Sequence, residues 1–166
     1  KLIGDKSLSK RYFSRVTLPL EKFGAKFYYK TKNKLPLLIH GSKSAKGINY
    51  IENRGSAQCK SSVMFAALNA SGRTLIKAKK SRNHSELLFK YLKISTKIKK
   101  TKNYDFINIV PPKKIQSFDY QIPGDISSSS FFMVLTILAN NSELLIKDIN
   151  VNPSRTGVIT ILKKMG

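Results

Sequence analysis

At 166 residues, with 41% apolar side chains and a formal net charge of +22, the chain is too apolar for wholesale disorder and holds one domain or one and a fraction. No apolar run approaches the roughly 18 residues that cross a bilayer, and a single cysteine, Cys59, excludes an internal disulfide and offers no metal-ligand spacing. The charge comes from 25 lysines and six arginines spread through nearly every segment, a pattern that favours solvated surface over a concentrated nucleic-acid face.

In chain order, "KRYFSRVTLPLEKFG" (10–24) predicts an amphipathic helix headed by Arg11, with Val16, Leu20 and Phe23 on one side. Strand candidates follow in "AKFYYKTKN", "LPLLIHG" and "GINYIE", bounded by Gly, Asn and Pro. Residues 55–72, "GSAQCKSSVMFAALNASG", open polar and continue apolar, which predicts a buried helix with more hydrogen-bonding groups at its start than capping requires. "TLIKAK" then reads as a strand, and Ser81-Arg82 leads into a helix near His84. After Pro123-Gly124 the pattern returns: "DISSSS", the apolar run "FFMVLTILA", a strand-like "LLIKDI", then Ser154-Arg155 and a second helix.

The predicted helix starts near Arg11, Ser56, His84, Ser127 and Arg155 are separated by 45, 28, 43 and 28 residues, so the chain repeats a unit of about 71 residues. The unit reads helix, strand, helix, strand, strand. Its Ser-rich helices are apolar all round and expected to be buried. Arg11, Arg82 and Arg155 each stand at or just before a predicted first turn, where the positive end of the helix dipole disfavours a cation by about 0.3–1 kcal/mol. Three such arginines, with Ser hydroxyls and free N–H groups, point to a phosphate or carboxylate ligand.

"SLSKRYFSRVTLPLEKFGA", "SAQCKS", "SRNHSE", "PGDISSSSFF" and "NPSRTGVITILKKMG" occur in one order and at compatible separations. Together they closely resemble the middle of the 5-enolpyruvylshikimate-3-phosphate synthases (3-phosphoshikimate 1-carboxyvinyltransferases), over essentially all 166 residues. The resemblance implies a mixed α/β (α+β) fold of repeated βαβαββ units, an inside-out α/β barrel, incomplete here. It places residues 1–121 in an N-terminal domain and 122–166 at the start of a C-terminal one, with Pro123-Gly124 at the crossing. The implied reaction adds the 5-hydroxyl of shikimate 3-phosphate to phosphoenolpyruvate, and a tetrahedral intermediate then loses phosphate. No cofactor or metal is expected, nor a membrane or nucleic-acid partner; a monomer in the bacterial cytoplasm is the expected setting, with a plastid as the other.

By the same resemblance Ser56, Ala57 (through its backbone), Gln58, Ser81 and Arg82 would hold shikimate 3-phosphate, and Arg11 and Gln58 phosphoenolpyruvate. Tyr12 stands where the family usually has proline, which bears on how Arg11 is held. The family's principal proton-transfer groups match no residue here, so no catalytic residue is assigned, and the chain alone is expected to be inactive and marginally stable. Lys60 reads as a solvated lysine on the helix side, Cys59 as a small filler, His40 as structural, Asp125 as an N-cap, and His84 as a pocket-shaping or capping residue. A start at Lys1 rather than Met suggests a processed chain or a piece of a longer one. The alternative function is a basic, repeat-built module for nucleic acid or another polyanion.

Overall fold

The computed structural model describes residues 1–165, which divide into two compact units, one from Lys1 to Gln116 and one from Ser117 onward. In the first unit a short 3-10 turn (Leu8–Lys10) precedes helix α1 (Ser14–Glu21) and an antiparallel hairpin of β1 (Lys26–Thr31) and β2 (Lys34–His40). Asn33 turns the hairpin with φ +60°, a conformation asparagine tolerates better than most side chains. Then come β3 (Asn49–Glu52), α2 (Ala57–Ala67), β4 (Thr74–Lys79), α3 (His84–Tyr91), β5 (Thr96–Lys100) and β6 (Tyr104–Ile109). This is the expected alternation, βαβαββ, in one copy.

The four strands form one sheet in the order β3-β4-β6-β5, with β3 parallel to β4 and the other pairs antiparallel. The parallel pair requires a crossover, and α2 supplies it. In β4 the sequence "TLIKAK" alternates strictly: Thr74, Ile76 and Ala78 are buried, while Leu75, Lys77 and Lys79 face outward. Ile107 and Ile109 of β6 join the same inner face, on which Val63, Met64 and Ala67 of α2 and Phe89 of α3 pack. Gly47 is demanded by packing, because a Cβ there would run into the backbone carbonyl of Arg73.

Two expectations need correcting in this unit. Arg11 does not head α1. Asp5 accepts from Leu8 N–H with its side chain (2.6 Å) and from Ser9 N–H with its carbonyl (3.0 Å), which builds the separate 3-10 turn. The chain then leaves in extended form at Arg11 (φ −80°, ψ 148°), and α1 starts three residues later, where Phe13 N–H is held by the carbonyl of Asn33. Helix α1 is also shorter than expected, so Phe23 reaches the core from beyond its end, while Val16 and Leu20 are only half-buried.

The second unit holds α4 (Ile126–Leu138) and α5 (Gly157–Met165). "LLIKDI" (144–149) is not a strand. Its one ladder contact is a bridge between Ile149 and Gly124, and among the described residues no strand runs beside it as β3 and β6 flank β4. Nor is α4 buried: Ile126 alone is enclosed, and Phe131 is 79% exposed. An apolar helix is buried only when other elements cover it, and none does within this unit.

Candidate functional site

Strand β3 ends at Glu52, whose carboxylate is 2% exposed and accepts from the N–H groups of Arg54 (2.9 Å) and Ser56 (3.1 Å). The turn passes through Gly55 at φ +68°, left-handed backbone that costs glycine little. Ser56 is the N-cap of α2, its Oγ accepting from Cys59 N–H at 3.3 Å, and its hydroxyl proton remains available to donate. Ala57 opens the helix, half-buried, and Gln58 is exposed, its side chain without a hydrogen bond to the described residues. The unpaired N–H groups of this first turn and the dipole of an 11-residue helix favour an anion at this lip.

The remaining polar residues of the segment turn inward. Lys60 is not a solvated lysine: it is 0% exposed, and its Nζ donates to the carbonyl of Arg82 (2.8 Å) and pairs with Glu86 Oε1 (2.5 Å). The reason lies in the helix period. Position 60 falls on the face that also buries Val63, Met64 and Ala67, and burying the ammonium is tolerable because Glu86 (6% exposed) meets it there. Ser61 Oγ shares a 2.6 Å hydrogen bond with Ser85 Oγ, and Ser62 donates back to the Cys59 carbonyl. Cys59 is buried filler, as expected.

These bonds bring the Ser81-Arg82 segment against α2. Ser81 Oγ is sheltered from solvent and meets no hydrogen-bond partner among the described residues. Arg82 is exposed, and among the described residues only its carbonyl is engaged. The N-cap of α3 is Asn83, so His84 is the first helical residue and not the cap. His40, at the end of β2, stacks edge-on against Tyr28 at 5.2 Å. Exposed Arg11 is joined to neither the α2 lip nor Ser81-Arg82 by a hydrogen bond or ion pair among the described residues; Lys34 lies 4.9 Å over the ring of neighbouring Tyr12. A cleft of about 300 Å³ lies beside the entry to α2, lined in part by Arg15, Lys22, Tyr50, Glu52, Arg54 and Cys59. Burial pushes the Tyr50 phenol above its ordinary value, and Cys59 and Glu52 add to the shift.

The second unit repeats the arrangement with different chemistry. Asp125 is the N-cap of α4, as expected, accepting from Ser127 N–H at 3.0 Å. Arg155 lies in the turn before α5, and its Nη2 reaches Asp125 Oδ1 (3.3 Å) and Ser127 Oγ.

Sequence reasoning missed Glu52 and Glu86. Each is a lone acid among apolar and basic residues, and in a chain with 31 basic and nine acidic residues such acids are the natural partners of any cation or N–H group that the fold buries.

Comparison with known proteins extends over the whole chain. The family model for EPSP synthase (3-phosphoshikimate 1-carboxyvinyltransferase) matches residues 1–166. The 3-phosphoshikimate 1-carboxyvinyltransferases of Caldicellulosiruptor bescii and Thermoanaerobacter pseudethanolicus are 42% and 43% identical to it, over 99% of this chain and 38% of each relative. A solved structure of EPSP synthase from Acinetobacter baumannii superposes with a TM-score of 0.79 at 36% identity, covering 99% of this chain and 36% of that one. The chain thus spans less than two fifths of the length of the proteins it matches.

Proposed function

The chain belongs to the EPSP synthase family, and from that membership we propose that the intact protein transfers the enolpyruvyl group of phosphoenolpyruvate to the 5-hydroxyl of shikimate 3-phosphate, releasing phosphate. This reaction would serve the shikimate pathway to aromatic amino acids. In this reading Ser56, the Ala57 backbone, Gln58, Ser81 and Arg82 hold shikimate 3-phosphate, while Arg11 and Gln58 hold phosphoenolpyruvate. Residues 1–121 belong to the N-terminal domain and 122–166 open the C-terminal one. The protein works as a monomer in the cytoplasm, without cofactor or metal. No helix among the described residues is long and apolar enough to cross a membrane.

The observation that carries the reading is the lip of α2, where Ser56 and Gln58 stand at a helix N-terminus whose next turn is bonded to Arg82. Two anionic substrates repel each other at contact, and only surrounding cations and N–H donors make a joint complex affordable. The Arg82 guanidinium, the N–H groups of Ala57 and Gln58 and the Ser81 hydroxyl are donors without acceptors among the described residues, which is the chemistry a phosphate needs. A protonated carbon and a deprotonated hydroxyl also require acid–base groups, and the proposal assigns none of these to the chain. The test is phosphate release by the intact protein from phosphoenolpyruvate and shikimate 3-phosphate together. Release with both substrates and not with either alone is expected; no release with both would sink the reading.

A further inference from the structure

We infer that Lys60 is a positioning residue that holds the Ser81-Arg82 segment against the lip of α2 and so leaves the Arg82 guanidinium unpaired for a phosphate; the inference rests on the substrate reading above. Its Nζ is fully enclosed and has two acceptors: the Arg82 carbonyl at 2.8 Å and Glu86 Oε1 at 2.5 Å. One cation thereby ties the second turn of α2 to the residue preceding the α3 N-cap and to the first turn of α3. The Ser61–Ser85 hydroxyl pair closes the same seam, one residue after Lys60 on α2 and one residue before Glu86 on α3.

Stability alone does not account for this pair. Desolvating two ions offsets most of their attraction, and apolar residues of similar size commonly serve a core as well or better. Glu86 Oε2 is moreover buried without a partner among the described residues, which a purely stabilising pair would avoid. What the pair supplies is geometry, since an ammonium between a carbonyl and a carboxylate fixes a backbone position that packing alone would leave looser.

The second unit shows the arrangement without the lysine. Counted from Gly55 and Gly124, Lys60 corresponds to Ser129; counted from Arg82 and Arg155, Glu86 corresponds to Ile159. With no buried pair, the link between the helices is made by Arg155 itself, whose guanidinium is occupied by Asp125 and Ser127. In the first unit Lys60 makes the link, and no side-chain partner engages Arg82 among the described residues. Lys60 therefore separates two duties that one arginine performs in the other unit.

The experiment is calorimetric titration of shikimate 3-phosphate into the intact protein and its variants, with melting temperatures alongside. Lys60→Met is expected to lower the melting temperature and to weaken binding by about tenfold or more, since a charged hydrogen bond holding Arg82 is lost. Lys60→Met/Glu86→Met is expected to regain the melting temperature, because no buried carboxylate is left unpaired, and to keep the weakened binding. In that double background Arg82→Ala should cost less affinity than in the parent, because Arg82 is no longer held in place. Recovery of parental affinity by the double variant, with an undiminished Arg82→Ala effect, overturns the positioning role while leaving the substrate reading intact. A parent protein that fails to bind shikimate 3-phosphate overturns both.

Discussion

Helices α2 and α4 occupy the same place in the repeat, and they show how little of a helix's environment is its own doing. Both follow a Gly and a polar N-cap and both run into an apolar stretch, yet α2 packs with α1, α3 and the inner face of β3, β4 and β6 while α4 leaves Phe131, Leu135 and Leu138 exposed. Helix α4 is the more apolar of the two in sequence, with seven large apolar side chains from Phe131 to Leu138. Burial is thus decided by what stands opposite a helix, and the polar groups at its start are decided in turn by what that partner must be tied to.

The largest expected effect tests the core side of this comparison. Phe89 is 0% exposed against α2, so Phe89→Ala should cost about 3–5 kcal/mol in denaturant unfolding of the chain. Phe131→Ala on α4 should stay within about 0.5 kcal/mol, as surface substitutions do. Comparable losses at both positions would mean that α4 is covered in solution.

Next come the two helix-to-helix links. Lys60→Met leaves Glu86 charged and enclosed, a change that costs about 3–5 kcal/mol when one partner of a buried pair is removed. Arg155→Met breaks a pair whose carboxylate is mostly exposed, and unfolding should barely register it. A severe loss from Arg155→Met would show that the two links are equivalent after all.

How far these features can be read in the sequence depends on how local their causes are. Period-2 alternation in "TLIKAK" and the cap-plus-apolar pattern of residues 55–72 are local, and both elements stand where they were expected. The start of α1 is not legible from Arg11, because Asp5, six residues earlier, draws the N–H groups of Leu8 and Ser9 into a separate 3-10 turn. "LLIKDI" has a strand's composition, but a strand exists only with a neighbour to bond, and its sequence cannot supply one. At the candidate site, Ser56 as a cap follows from its position alone. The inward role of Lys60 depends on Glu86, 26 residues away, and no helical or strand period connects the two. Ser61 and Ser62 look like ligand groups in sequence for the same reason, and in the structure they serve Ser85 and the Cys59 carbonyl.

A smaller effect concerns the cap of α2. Ser56→Ala removes the acceptor for Cys59 N–H and should destabilise the chain by about 1 kcal/mol. Ser56→Asp keeps that acceptor and adds a charge favourable to the dipole, so stability should be retained. Shikimate 3-phosphate binding by the intact protein should nevertheless fall with Ser56→Asp, because the added carboxylate would repel the phosphate. Unchanged affinity would remove Ser56 from the proposed lip.

The smallest effect separates the two caps by pH. Asp125 is held below the ordinary carboxylate range, first by the Ser127 N–H that donates to it and then by the Arg155 guanidinium. A depressed carboxyl contributes stability above its unfolded pKa, near 4, and that contribution is lost as pH falls through the lower folded value. The Ser127 amide resonance should therefore shift with a midpoint below pH 4 or so, and the first turn of α4 should exchange its amides faster on the acid side of that midpoint. Asp125→Asn keeps a capping oxygen and should abolish the midpoint. The Cys59 amide, held by the uncharged Ser56 hydroxyl, should show no such midpoint in the same range. A Ser127 midpoint at or above the ordinary carboxylate value would mean that Asp125 is not held by the N–H of its own helix, and the likeness between the two caps would then end at their place in the sequence.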